Sequence, residues 1–146
     1  KKSKIISRVI WSCSWTFDDN YFLTASRDKK VVVWGQDENI KDWIPIGNPL
    51  DAGEAVTAVS VSKNSSCLPS YLVAIGTELG QIRLYNWNRT LGWKNITTPE
   101  KTISHTGSVT RLRWRPAHTN DSLYLASSAT DNCVKIFEIK LHSNSY

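Results

Sequence analysis

Methionine is absent from this chain of 146 residues, and cysteine is scarce: three residues, an odd count, with no CxxC pair. That argues against a disulfide framework and favours a reducing compartment. Cys13 and Cys133 fall in strand-like runs and are expected to be small buried thiols. Long apolar runs are also missing. Residues 71–75 form one of the longest, far short of the ~18 apolar residues of a membrane-spanning helix, so no membrane partner is expected. The opening KKSKIISR is basic but has no apolar core, so it does not read as a signal peptide. With Lys1 in place of an initiator methionine, the chain is expected to be a segment of a longer polypeptide. Helical periodicity with caps is nowhere sustained. Seven glycines are scattered and none forms GxxxxGK, so no phosphate cradle is present. His105, His118, His142 and the cysteines lack ligand-like spacing, so neither a metal nor a cofactor is expected.

What is present is short, apolar and periodic. Hydrophobic residues make up 40% and charged residues 21%, with a net charge of +5 and seven tryptophans. This suits one folded domain or part of one, and excludes a disordered chain. Three runs end in an aromatic: Val31-Val32-Val33-Trp34, Ile82-Arg83-Leu84-Tyr85 and Val134-Lys135-Ile136-Phe137. These aromatics are spaced 51 and 52 residues apart, and Asp28, Leu79 and Asp131 repeat at the same intervals ahead of them. YFLTAS (21–26), YLVAIG (71–76) and LYLASS (123–128) lie just upstream.

A second series precedes those runs. Ile10…Cys13-Ser14-Trp15, Val56…Val59-Ser60-Val61 and Val109…Leu112-Arg113-Trp114 share apolar residues at +3 and +5. The +3 step breaks alternation as one bulged residue would. Each repeat therefore reads as strand, loop, strand, tight turn, strand, then a variable outer segment, with outer strands at 43–46 and 93–97. The fold class is all-β, and Asp18-Asp19 reads as a solvated turn.

FLTASRDKKVVVW (22–34), SHTGSV…LRW…LASSATDNCVKIF (104–137) and, more weakly, AIGTELGQIRLY (74–85) resemble the WD-repeat β-propeller family. The resemblance implies about three blades of antiparallel four-stranded sheet in an incomplete ring. The whole of 1–146 would be part of one propeller, with blades at roughly 5–50, 51–103 and 104–142. A narrower likeness, RVIWSCSWTFDDNYFLTASRDKKVVVWG (8–35), is similar to the second propeller of the Elongator subunit-two family.

His105, Ser127 and Asp131 invite a catalytic-triad reading. The resemblance implies a structural one: an entry-loop histidine, a hydroxyl four residues before the turn aspartate, and a strand-end tryptophan form a buried hydrogen-bond relay. The candidate members are Thr24, Asp28, Trp34, His105, Ser127 and Asp131. Ser127 lies mid-strand, unlike a nucleophile on a strained turn with an oxyanion hole, so no catalytic residue is assigned. The relay has gaps. Phe137 replaces Trp in the third repeat, and Ile6 stands at the histidine position of the first. In the second, Leu79 and Ile75 replace Asp and hydroxyl, so Gly80 and apolar packing are expected to hold its turn.

Binding is expected on a rim. Trp11, Thr57, Ala58 and Arg111 are the expected bulge residues, and Arg113, Ser14 and Ser60 are expected to face the central channel. Arg8, Trp11, Arg27, Lys29, Lys30, Arg111 and Arg113 form a candidate basic surface for RNA or an acidic protein. Stacking on single-stranded RNA would fall to Trp11, Trp87 or Trp93, whereas Trp15, Trp34 and Trp114 fit the core.

The resemblance implies a non-catalytic interaction scaffold in Elongator, an assembly that modifies wobble uridines in tRNA and is linked to transcription. Its expected partners are other subunits and the rest of its own propeller. The expected location is the cytoplasm, with the nucleus second. One alternative is direct RNA or tRNA binding on the basic rim. Another is a secreted ligand-binding propeller, for which the sequons at Asn64, Asn88, Asn95 and Asn120 speak weakly.

Overall fold

β-Branched alternation and tight turns build three antiparallel sheets. The computed structural model describes residues 5–63, 69–97, 103–116 and 122–140. His118, His142, Asn64 and Asn120 lie outside these residues.

The first sheet runs β1 (Ile10–Trp15), β2 (Tyr21–Ser26), β3 (Lys30–Gln36) and β4 (Trp43–Pro45), with β5 (Leu50–Asp51) also on β3. The second contains β6 (Val56–Val61), β7 (Tyr71–Thr77), β8 (Gln81–Asn88), β9 (Gly92–Asn95) and β10 (Ile103–Ser104). The third is β11 (Val109–Trp114), β12 (Ser122–Ala129) and β13 (Val134–Lys140). No helix occurs among the described residues. The third sheet has three strands among the described residues, and the first two have five where four were expected. The reason is local: the outer position is filled by two short pieces. β4 pairs with the end of β3 and β5 with its start, and β9 and β10 divide β8 in the same way.

Each innermost strand has its bulge. The register shifts at Trp11, Thr57 and Thr110, so Thr110 takes the place expected for Arg111. The three β-turns also match. Lys29, Gly80 and Asn132 all have left-handed φ, at 72°, 88° and 64°.

The sheets stack side by side, with β6 between β1 and β11. Leu23, Ala25, Val31 and Val33 of the first sheet bury against Val59, Val61, Val73 and Ile75 of the second. Ala58, Leu72, Ala74 and Leu84 bury against Leu112, Trp114, Leu123 and Leu125 of the third. Each buried Val, Leu or Ile among them contributes roughly 1.5–3 kcal/mol by leaving water. Polar bonds register the strands. Val59 N–H donates to Ser12 Oγ (3.2 Å), Val61 N–H to Ser14 Oγ (3.1 Å), and Trp114 Nε1–H to the Ser60 carbonyl (3.0 Å). The second seam also needs glycine: a Cβ on Gly76 would lie 2.5 Å from Val109 Cγ1, and one on Gly80 would collide with the His105 carbonyl.

Two sheet faces have nothing packed on them among the described residues. On the first sheet, Trp15, Phe22, Trp34 and Trp43 form an aromatic layer with neighbouring ring centroids 5.2–6.0 Å apart. On the third, Val134 and Ile136 are exposed. This corrects two expectations. Trp15 is 54% exposed rather than core. Cys13, beside it on β1, and Cys133, in the turn before β13, are exposed rather than buried. Strand patterning identifies which side of a sheet is apolar; burial also requires a neighbour on that side.

Candidate functional site: a buried polar relay and an exposed rim

The β10–β11 loop delivers His105 to the third sheet, where it is 4% exposed. Its Nδ1 lies 2.9 Å from Asp131 Oδ2 and its Nε2 lies 2.7 Å from Ser127 Oγ. Asp131 also accepts the N–H groups of Thr106 (3.1 Å) and Cys133 (3.0 Å). Burial works to raise the Asp131 carboxyl, but the Cys133 N–H, the His105 ring and the Thr106 N–H outweigh it and hold it below the usual carboxylate range. A tryptophan donor is missing at Phe137, and the Lys135 carbonyl, 3.4 Å from Ser127 Oγ, is a second and longer acceptor competing for the one hydroxyl proton. Ser127 is itself 2% exposed, so its hydroxyl does not reach a substrate. The arrangement clamps an entry loop to a sheet.

In the first sheet the candidate residues divide into two groups. Trp34 Nε1–H donates to Thr24 Oγ1 at 3.0 Å. Asp28 is joined separately to the Ser7 N–H (2.9 Å) and to the Ser26 hydroxyl. Burial tends to raise the Asp28 carboxyl, and the Ser26 and Ser7 bonds override it and lower it. A serine one position after Ile6 thus does the loop-holding of the missing histidine.

The second sheet solves the same problem differently. Leu79 is 70% exposed, so apolar packing does not hold its turn. Thr77 does: its carbonyl accepts Gly80 N–H (3.1 Å) and its hydroxyl accepts Gln81 N–H (3.1 Å). The entry loop is clamped by Arg83, which donates to the Ala52 carbonyl at 2.6 Å and pairs with Glu54. Arg83 sits opposite Ile75 as Lys135 sits opposite Ser127, and Lys135 Nζ donates to the Ser104 carbonyl at 2.7 Å. Sequence reasoning missed this pair, because neither residue belongs to the repeated signature.

Asp18 is more than a solvated turn residue. It accepts the Tyr71 hydroxyl across the first seam at 2.7 Å, and Thr16 Oγ1–H at 2.7 Å. Burial, then the bond to Asp18, push the Tyr71 phenol well above its ordinary range, and Tyr71, Thr16 and Asn20 hold Asp18 low despite its own partial burial.

The basic candidates fall into two separate groups. Arg8, Arg27 and Lys29 are exposed on the first sheet and Lys30 is half-buried; the chain is drawn together there because Arg27 N–H donates to the Val9 carbonyl (2.9 Å). Trp11 is exposed beside them. Arg111 and Arg113 lie beyond the second sheet, on the third. Arg113 pairs with Ala126, which pairs with Ile136, so it shares the uncovered face and not a channel. Its counterparts agree: Ser14 bonds to β6, and Ser60 is buried at the second seam. None of these cations pairs with a carboxylate among the described residues. Trp87 is 2% exposed between Tyr21 and Tyr71, so it offers no stacking platform, and Trp93 is half-buried. The described residues contain no cluster of three metal-ligating side chains.

Comparison with known proteins gives two results. The family model "WD domain, G-beta repeat" matches residues 5–35 and 97–138, together half of the chain. The second sheet, which lacks the aspartate and the hydroxyl, lies largely between the matches. Proteins named Elongator complex protein 2 are similar along nearly the whole chain. The Homo sapiens protein is 38% identical over 159 residues, covering 95% of this chain and 19% of its own length. The Drosophila melanogaster protein is 38% identical over 148 residues (97% and 18%). The Saccharomyces cerevisiae protein is 33% identical over 142 residues (95% and 18%). The chain therefore spans about a fifth of the length of the relatives it matches.

Proposed function

The chain belongs to the WD-repeat family, and from that premise we propose that it is a propeller sector acting as a non-catalytic scaffold subunit of Elongator. The observation that carries this reading is 33–38% identity, along about 95% of the chain, to proteins named for that complex. The geometry is compatible with it. The one constellation that looks catalytic is buried and consumed in loop clamping. The chemistry of the assembly, which the resemblance implies to be tRNA wobble-uridine modification, is then done elsewhere, in the cytoplasm or nucleus. The two uncovered faces are proposed to be covered by the remainder of its own propeller, since apolar patches of this kind seldom stay exposed. Native purification of the tagged complete polypeptide tests the scaffold reading. It is expected to carry the other Elongator subunits in fixed stoichiometry, and a lone polypeptide would overturn the reading.

The exposed group of Arg8, Arg27, Lys29 and Trp11 favours a second reading, direct RNA contact at the first sheet. Charge-reversing the three cations should then lower RNA affinity and flatten its salt dependence. Unchanged binding would exclude it. The secreted-propeller alternative gains nothing from the described sequons. Asn88 Oδ1 accepts the Thr90 N–H at 2.8 Å, and Asn95 Oδ1 accepts the Thr97 N–H at 2.8 Å, so both side chains hold turns.

A further inference from the structure

At the rim opposite the signature turns, two hairpin tips stand side by side in the architecture: the β3–β4 turn of the first sheet and the β8–β9 turn of the second. Each carries a bare aliphatic residue, Ile40 at 64% and Leu91 at 85% exposure. Neither has a packing role, and an apolar residue at the corresponding tip of two successive sheets is not needed for either turn. Asp37 and Asn88 make those turns, by accepting the N–H groups of Asn39 and Thr90 at 2.8 Å.

A pocket of about 470 Å3 opens between the tips, bounded by Glu38 and Lys41 on one side and Arg89 on the other. Its lining includes Tyr21 and Ile46, whereas the Trp43 ring belongs to the aromatic layer on the other face of the sheet. Gly35 lines it too, and any side chain there would come 2.9 Å from Ile46. Its charge is opposite to that of the molecule. Three carboxylates (Asp19, Asp37 and Glu38) face two cations (Lys41 and Arg89) on a chain of net charge +5. The Asp19 and Glu38 carboxylates have no partner among the described residues. Among the described residues, Arg89 makes a single 3.5 Å side-chain hydrogen bond, with the Tyr21 hydroxyl.

We propose that this pocket, framed by Ile40 and Leu91, docks an extended segment of another protein that inserts a lysine or arginine side chain. The aliphatic stem would lie along Tyr21 and Ile46, where a cation is attracted to the tyrosine ring. Its charged head would meet Asp19 and Glu38, and apolar neighbours of that residue would cover Ile40 and Leu91. The three carboxylates outnumber Lys41 and Arg89, so the balance of charge disfavours a phosphate backbone. The inference rests on the scaffold reading and adds the site and the character of one partner.

The test uses the complete polypeptide in its native assembly, with the photo-crosslinker benzoylphenylalanine placed singly at Ile40, at Leu91 and, as a control on the opposite rim, at Leu79. Both tips should capture the same protein segment, one containing Lys or Arg, and Leu79 should not capture it. The double variant Asp19→Lys, Glu38→Lys should lower the crosslink yield about tenfold, as expected for losing two ion pairs at a partly enclosed site. An intact assembly with no crosslink at either tip overturns this inference alone. So does capture of RNA, of a second copy of the chain, or of an acidic segment. A polypeptide that isolates without companion subunits overturns the scaffold reading itself.

Discussion

Ser127→Ala isolates the buried relay with the smallest possible change in volume. In the neutral ring, Nδ1–H donates to Asp131 and Nε2 accepts the Ser127 O–H, over 2.9 and 2.7 Å. Removing the hydroxyl leaves Nε2 facing a methyl group on a residue that is only 4% exposed. An orphaned buried acceptor costs about 1–3 kcal/mol. With a urea slope of roughly 2 kcal/mol per M, the midpoint should fall by about 0.5–1.5 M. Thr24→Ala is the internal comparison. It orphans Trp34 Nε1–H, but Trp34 is only half-buried on the uncovered face, so in a chain open on that side water takes the bond. Its cost should be near 0.5–1 kcal/mol. Urea unfolding of the 146-residue chain, followed by tryptophan fluorescence, reads both. Equal midpoints for wild type and Ser127→Ala, or a larger loss for Thr24→Ala, would refute the relay as a source of stability.

Three further outcomes are expected. Arg83→Ala should destabilise by about 1–3 kcal/mol, because Glu54 and the Ala52 carbonyl are left in a half-buried seam; Glu54→Gln, which keeps one hydrogen bond, should cost less, and the reverse order in urea midpoints would discredit the clamp. Lys29→Gly should stabilise by roughly 0.5–1 kcal/mol, since Lys29 sits at φ 72° where Gly80 serves in the second sheet; a lower melting temperature would contradict this. Asp18, Asp28 and Asp131 are all held low in the folded state. Their stabilisation is therefore complete above the unfolded carboxylate value of ~3.9 and is lost as pH falls below it through the folded values. Urea midpoints should drop below about pH 4 as these carboxylates protonate; a midpoint that rises as pH falls through that range would reverse the sign.

How much of this was legible depended on whether a feature repeats. The three inner strands, their bulges and the Asp28, Leu79 and Asp131 turns recur at near-constant spacing, so backbone geometry could be read directly. Features used once could not. Glu54 and Arg83 meet only because β8 brings the third strand beside the entry loop, and nothing in either residue's neighbourhood signals it. Ser7 serving Asp28, and Thr77 serving the second turn, are hydroxyls in a chain rich in hydroxyls. Tryptophan burial was misassigned in both directions for one reason. Trp87 lies at a seam with Tyr21 and Tyr71, whereas Trp15 lies on a face with no neighbouring sheet, and periodicity cannot say which faces meet. The basic candidates likewise share a charge without sharing a surface, since Arg111 and Arg113 follow the pleat of β11 onto the outer face of the third sheet.

The ring proposed here turns on whether the bare face of the first sheet is covered in the complete polypeptide. Cys13 reports on that face and Cys133 on an open turn, and both thiols are exposed in this chain. Site-resolved alkylation, read by mass spectrometry, compares them in one sample. In the 146-residue chain both should react quickly; in the complete polypeptide Cys133 should still react quickly and Cys13 should be protected. Equal, rapid labelling of the two in the complete polypeptide would mean that no further blade covers Trp15 and its neighbours, and the ring would be wrong.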